Sequence, residues 1–385
     1  MSTLAGELII DVVTRDGVVT AVELVSTRPQ VADRLLAGRP AQAAVAMVPQ
    51  LFTICGRAQG IAAELALAAA RGTAAADPAL QAQRIHRIET EIAQEYLWRA
   101  LLDWPQAIGA PADAGVLAEL RRALAVDPAG AHEATRASLR HVAEQAVFGG
   151  DAAAWFAQAQ VSAFEIWIAR GATPAARYLA AVQREGAHHG APRDADAVPL
   201  LPAAAGDALL RGIAAALAAD PGFVQRPTLD GRPAETGAIS RLAAHPRVAA
   251  LLTTFGRSTL TRLAARITEL ARIAAGIAPA APLYGALALP ADGGLRRGLG
   301  WVETARGLLV HLIDLAPGAE DDRVARYRVL APTEWNFHPQ GALPAGLLGA
   351  HPMNAGELRK RADWLVQALD PCVAYTLRID GAAHA

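Results

Sequence analysis

The sequence predicts an α+β fold that is mostly helical, with an N-terminal β-hairpin, a central helical bundle and a small mixed C-terminal β region. Three observations predict it. Two Val- and Ile-rich runs near the start flank an Asp-Gly turn. From Gln30 to Ile277, apolar residues recur mainly at helical spacing. After Pro279 the pattern changes to short alternating runs on either side of Arg306-Gly307.

The hairpin is read at residues 7–13 and 18–25, joined by Thr14-Arg15-Asp16-Gly17. Val31, Leu35 and Leu36 form a short helical stripe that Gly38-Arg39-Pro40 breaks. A second apolar segment, 41–51, leads to Cys55. The Ala-rich stretch 60–71 then reads as a buried helix. In the next helix, 84–104, Ile85, Ile88, Ile92, Tyr96, Leu97, Leu101 and Leu102 recur at helical spacing, and Pro105 is expected to end it. Further helices are predicted at 114–126, 132–148, 152–170, 174–184, 240–252 and 258–277. Pro- and Gly-rich stretches at 185–202 and 221–235 read as connections. Strands are predicted at 298–304, 308–315 and 324–330, and a last helix at 354–369.

Composition narrows the function classes. The chain has 385 residues, 53% hydrophobic and 19% charged, enough to bury a large core. A net charge of −1 without a basic block leaves nucleic-acid binding no electrostatic footprint. The first residues lack the pattern of a signal peptide, and the apolar Ala runs are too short or too interrupted to span a bilayer. Two cysteines make no disulfide framework. The expected location is the cytoplasm.

Those two cysteines, Cys55 and Cys372, are the first candidates for chemistry. Asp370-Pro371 reads as an N-cap followed by proline at the first helical position. If Val373 onward is helical, Cys372 lies in a first turn that favours a thiolate. Gly56 beside Cys55 permits close backbone approach, and Arg57 favours a thiolate there. A buried, inert thiol is the plainer reading of either residue alone. No C-x-x-C occurs, since Ala58 and Tyr375 stand three residues after the cysteines, so zinc-ribbon and thioredoxin patterns fail. Arg306 at a strand turn and Pro332-Thr333 in a polar, aromatic loop are further candidates. Their plainer readings are an exposed turn arginine and a packed loop. The pair His188-His189 reads as a solvated surface pair. No phosphate-binding loop or nucleophile elbow is present.

Taken together and in order, the stretches I-C-G-R-A, V-E-T-A-R-G, A-P-T-E-W-N and L-D-P-C-V-A-Y resemble the large subunit of nickel–iron hydrogenases, with P-A-E-T-G-A at 233–238 as a further anchor. The resemblance is good throughout 298–378, less tight up to about residue 70 and loose in the middle. It implies one large-subunit-like domain over 1–385, with subregions 1–75, 76–280 and 281–385. The family carries Cys-Gly-x-Cys and Asp-Pro-Cys-x-x-Cys. The first cysteine of each pair binds nickel and the second bridges nickel to iron. Cys55 and Cys372 match the first of each pair, while Ala58 and Tyr375 occupy the bridging positions. The family's Arg-Gly-x-Glu motif falls at Arg28-Pro29-Gln30-Val31, which puts Val31 at the proton-transfer glutamate. Arg306 and Thr333 match the residues that hydrogen-bond two iron-bound cyanides.

Two thiolates fall short of the four sulfur ligands of a nickel–iron centre, so hydrogen turnover and nickel are not expected. The pattern is similar to the accessory relatives of the large subunit, the HupK/HoxV type. That implies a non-enzymatic scaffold that transiently holds an Fe(CN)2(CO) fragment on Cys55 and Cys372. Arg306 and Thr333 would face the cyanides, with Arg28, Arg57, Pro332, Asp370 and Tyr375 as neighbours. The implied partners are maturation proteins (a small iron-fragment chaperone and its partner) and the hydrogenase large-subunit precursor. One alternative is a metal-free mimic of the large subunit that binds the same partners. Another is a degenerate redox protein using a Cys55–Cys372 disulfide.

Overall fold

A computed structural model describes residues 6–29, 31–73, 77–125, 132–186, 198–317, 322–380 and 382–384. The pair His188-His189 and most of the connection at 185–202 lie outside them. Among the described residues are two four-stranded sheets, and the remainder is mostly helical. No described helix is long and apolar enough to cross a membrane.

The first sheet has the order β2-β1-β7-β8: β1 (Glu7–Arg15), β2 (Val18–Ser26), β7 (Ala374–Ile379) and β8 (Ala382–His384). The predicted hairpin forms with Asp16 and Gly17 at φ 51° and 74°, the left-handed pair that a two-residue turn requires. β7 lies parallel to β1, with Leu8 opposite Tyr375. The chain's N-terminal hairpin is thereby joined to the segment that follows Cys372.

This pairing corrects the expectation of a helix after Pro371. Asp370 is the C-cap of the Ala355–Leu369 helix, at φ 58°, and is not an N-cap. A left-handed residue followed by proline ends the helix. The alternating run beyond it buries Leu377 and Ile379 and pairs as a strand. Cys372 therefore has no helix N-terminus behind its thiol.

The second sheet is an antiparallel meander of β3 (Tyr284–Leu289), β4 (Arg296–Thr304), β5 (Gly307–Leu315) and β6 (Val324–Leu330). β3 was not predicted, because Y-G-A-L-A-L carries little β-branching. The Ala-rich Gly56–Arg71 helix lies directly on β4. A Cβ at Gly298 would stand 2.0 Å from the Ala66 carbonyl oxygen, and one at Gly300 would stand 2.1 Å from that of Ala62. Glycine on the strand and alanine on the helix let two backbones touch.

Helix boundaries depart from the periodicity in several places, and the helix Asp207–Ala219 was not predicted. The Pro78–Trp98 helix, capped by the Asp77 carboxylate, runs through a π-turn at Arg99–Asp103 into Trp104–Ala107. Pro105 thus sits inside the continuation, where the wider turn accommodates its missing N–H. The span 152–170 is two helices, Ala152–Ala157 and Val161–Arg170. The span 240–252 likewise divides into Ala238–Arg241 and Pro246–Phe255. The Thr259–Ala274 helix, started by the Ser258 hydroxyl, is buried along its whole length. Its charges are paired inside: Arg262 with Glu235, Arg272 with Glu89, and Glu269 with Arg241.

Candidate functional site

Cys55 closes the short turn Thr53–Cys55 and takes the N-cap position of the Gly56–Arg71 helix. Gly56 and Gly60 seat that helix on Pro49, where added Cβ atoms would meet the Pro49 oxygen at 3.1 Å and its ring at 3.0 Å. Cys372 follows the left-handed cap of the last helix, and the β1–β7 pairing sets it beside the segment that leaves β2. Both thiols are free and partly buried. The charge of Cys372 is felt at Cys55, and Arg28 and Arg306 interact with both. The fold therefore brings the two cysteines into one site.

Cys372 is surrounded by donors. Arg28 Nη1 donates to Sγ at 3.3 Å, and the Thr333 hydroxyl donates at 3.1 Å. The Cys372 N–H donates back to Thr333 Oγ1 at 3.3 Å. Pro332, at the first position of the short Pro332–Asn336 helix, sets the turn that presents Thr333. Glu334, the next residue, lies 3.7 Å from Arg28 Nη1. Burial acts to lower the Arg28 pKa, but Cys372, Glu334 and Cys55 together hold it above its ordinary value.

Cys55 meets a neutral chain of hydrogen bonds. Gln59 Nε2 donates to Sγ at 3.5 Å, leaving Gln59 Oε1 toward His311 Nε2 at 2.8 Å. His311 Nδ1 lies 2.8 Å from the Tyr327 hydroxyl. With the Gln59 amide so placed, Nε2 carries the imidazole proton and Nδ1 accepts from Tyr327. Burial pushes His311 down to about 3, so the ring stays neutral at physiological pH.

Arg57 does not make Cys55 a thiolate. Burial pushes the thiol up to about 12, and Glu91 and Cys372 add to the rise. Arg57 instead reaches toward Gln94 Oε1 at 3.5 Å. Glu91 accepts the N–H groups of Arg57 and Ala58 at 2.9 and 3.2 Å, and burial raises its own carboxyl to about 7. The helix start beside Cys55 is thus already capped by a carboxylate from the Pro78–Trp98 helix.

Arg306 interacts electrostatically with both cysteines. It is buried, not an exposed turn residue, and its Nη2 donates to Glu95 at 2.8 Å. Its Nε faces Asp370 Oδ2 at 3.6 Å, and neither atom has a hydrogen-bond partner. Asp370 also meets Arg99 at 2.8 Å and Arg266 at 3.7 Å. Burial favours the neutral acid at Asp370, but Arg306, Arg266 and Arg99 hold its pKa below the usual range. The Arg306 backbone is pinned by the Asn336 amide at 3.1 Å. Thr236 donates its N–H to Asn336 and accepts from Leu308. A Cβ at Gly307 would stand 2.5 Å from Thr236 Oγ1, so the Arg-Gly turn requires its glycine.

Of the sequence candidates, Arg28, Arg306, Thr333 and Asp370 converge on the cysteines. Ala58 is buried in the helix and Tyr375 turns away, its hydroxyl 3.3 Å from Asp363, in the wall of a cavity of about 280 Å³. Gln59, Glu91, Glu95, His311, Tyr327 and Glu334 were not singled out from sequence. Only Glu334, inside A-P-T-E-W-N, and Gln59, four after Cys55, carried a signal. Among the described residues no group of three or more His, Cys, Asp or Glu side chains is arranged to hold a bare metal ion. The donors gathered here are two sulfurs, a hydroxyl and a buried guanidinium.

No protein-family model matches the sequence. The chain is 37% identical over 367 residues to the hydrogenase expression/formation protein HoxV of Cupriavidus necator, covering 91% of each chain. It is 34% identical over 407 residues to the corresponding protein HupK of Rhizobium leguminosarum, covering 99% of this chain and 98% of the other. Solved structures of hydrogenase large subunits share the fold. The reduced Ni-Fe-Se hydrogenase from D. vulgaris Hildenborough matches with a TM-score of 0.59 and 14% identity, covering 93% of this chain and 94% of that one. An NAD+-reducing NiFe-hydrogenase in the H2-reduced state matches with a TM-score of 0.54 and 18% identity, covering 94% of both.

Proposed function

This chain belongs to the family of hydrogenase expression/formation proteins that includes HoxV and HupK, and from that premise we infer that it is a scaffold for the iron half of a hydrogenase centre. It takes an Fe(CN)2(CO) fragment as cargo, holds it on Cys55 and Cys372, and hands it on without turning over hydrogen or binding nickel. The observation that supports this reading is the convergence of two free thiols with the buried Arg306 guanidinium, whose charge interacts with both, and the Thr333 hydroxyl. A mimic that only bound partners would have no need of cyanide-facing donors inside.

The two thiols suit transient holding. Low-spin iron with three diatomic ligands needs few protein ligands. With its pKa pushed up to about 12, Cys55 is a thiol at neutral pH, so closing the second iron–sulfur bond expels a proton and opening it takes one back. Arg306 carries positive charge for the anionic cyanides. The partners in this reading are cytoplasmic: a small chaperone that delivers the fragment and a large-subunit precursor that receives it.

Metal analysis of protein purified without oxygen from a host that carries the maturation machinery tests the reading. The expectation is about one iron per chain and no nickel, with iron lost in Cys55→Ser and in Cys372→Ser. Iron-free wild-type protein that still captures its partners would overturn it in favour of the metal-free mimic.

A further inference from the structure

Arg28 is the charged donor to the Cys372 sulfur, and its own support comes from an unexpected element. In the Arg28-Pro29-Gln30-Val31 stretch the position three residues on is apolar, so the local segment offers Arg28 no acid. Glu334 approaches from the far end of the sequence instead, 3.7 Å from Nη1. It is 7% exposed, and it follows Thr333 directly. One short helix therefore presents a hydroxyl to Sγ and a carboxylate to the guanidinium that also meets Sγ.

We propose that Glu334 is the positioning residue for the Cys372 sulfur: its carboxylate keeps the Arg28 guanidinium on Sγ. The neighbours Thr27 and Pro29 are exposed, so an unpaired Arg28 has a short path to water. Leaving a mostly buried cation without its counter-charge is costly, and swinging out relieves that cost. Glu334 removes the incentive. The Phe52 ring, 5.7 Å from the guanidinium carbon, supports the same pose from the Cys55 side. The carboxylate itself stays buried at a cost that raises its pKa to about 7, with Arg28 pulling the other way. The consequence for bound iron rests on the scaffold reading, whereas the consequence for the sulfur does not.

The test uses the metal-free full chain carrying Cys55→Ser, so that Cys372 alone reports. The rate of its alkylation by iodoacetamide is followed against pH. The midpoint of that profile reads the charge on Sγ and is insensitive to how open the site is. Arg28→Met and Glu334→Gln are each expected to move the midpoint up by about one pH unit, a tenfold loss of thiolate at a given lower pH. The double variant should move no further than either single, and Glu334→Asp should return part of the shift. An unchanged or lowered midpoint in Glu334→Gln, or shifts that add in the double variant, would overturn the proposal. Near-ultraviolet circular dichroism confirms that each variant is folded. In iron-loaded protein with Cys55 intact, the carbon monoxide stretch should fall together in Arg28→Met and Glu334→Gln, because a sulfur that loses its donor gives more electron density to iron. If the alkylation profiles behave as expected while wild-type protein shows no carbon monoxide band, the iron reading fails and the positioning of Sγ by Glu334 stands.

Discussion

Cys372 and Cys55 share one site but are held by different physics. Around Cys372 the contacts are charged or hydroxylic and come from widely separated parts of the chain: Arg28 after β2, and Thr333 and Glu334 on a short helix. Around Cys55 they are neutral and hidden, a line from Gln59 through His311 to Tyr327. At Cys55 burial, with Glu91 and Cys372 adding to it, pushes the thiol up to about 12.

The Cys55 side depends most on its platform, the strand under the Gly56–Arg71 helix. Gly300→Val would drive a side chain into the backbone of the Gly56–Arg71 helix. Overpacking of this kind is expected to cost more than about 3 kcal/mol in urea unfolding. An equal midpoint in the variant would mean that helix and strand are not in contact.

On the Cys372 side, Asp370→Asn keeps a residue that tolerates the left-handed cap but removes the charge shared by Arg99, Arg266 and Arg306. The expected cost is about 3 kcal/mol at neutral pH. The pH sign follows from the depressed native pKa. The contribution of Asp370 is fully present above the ordinary value of 3.8 and is lost as pH falls through the native one. Acid unfolding curves of wild type and variant should therefore converge at low pH.

Tyr327→Phe takes the terminal donor from the neutral line and leaves His311 Nδ1 buried without a partner, at about 1–2 kcal/mol. If the two halves are independent, the alkylation profile of Cys372 is unmoved. A shift there would join them.

The smallest effect is a slope. Glu91 and Glu334 have native pKa values near 7 against 4.5 for an ordinary glutamate, so the folded chain binds protons more tightly than the unfolded chain. The stability they contribute is full below about 4.5 and is lost as pH rises through about 7, by at most about 1.4 kcal/mol per pH unit for each. Glu91→Gln should flatten that slope through the Cys55 side, and Glu334→Gln through the Cys372 side. The buried His311 contributes a rise of the opposite sign over the lower part of this window, so the test is the difference between variant and wild type: a Glu91→Gln or Glu334→Gln slope equal to that of the wild type would contradict that assignment.

How much of this was legible in the sequence follows the same division. The hairpin, the long helices and the strands flanking Arg306-Gly307 were readable because their signals are local: a turn pair with positive φ, or a repeat of apolar residues. The strand β7 was misread because Asp370-Pro371 fits a helix start as well as a helix stop, and its parallel partner β1 is more than three hundred residues away. Arg28, Arg306, Thr333 and Asp370 were found through motifs held in common with a known family. Gln59, His311 and Tyr327 were missed because a relay drawn from one helix and two strands leaves no spacing to read. Arg57 misled for a different reason: a cation adjacent in sequence points elsewhere in space, and the burial that outweighs it is invisible in a string of letters.

The proposed role requires both sulfurs to hold one iron fragment with its own ligands. Infrared spectroscopy of the anaerobically purified protein, from a host with the maturation machinery, tests it most directly. The account predicts stretching bands of iron-bound cyanide and carbon monoxide in the wild type, absent in both Cys55→Ser and Cys372→Ser. Bands that persist unchanged in either variant, or a wild type without bands while its maturation partners are bound, would contradict it.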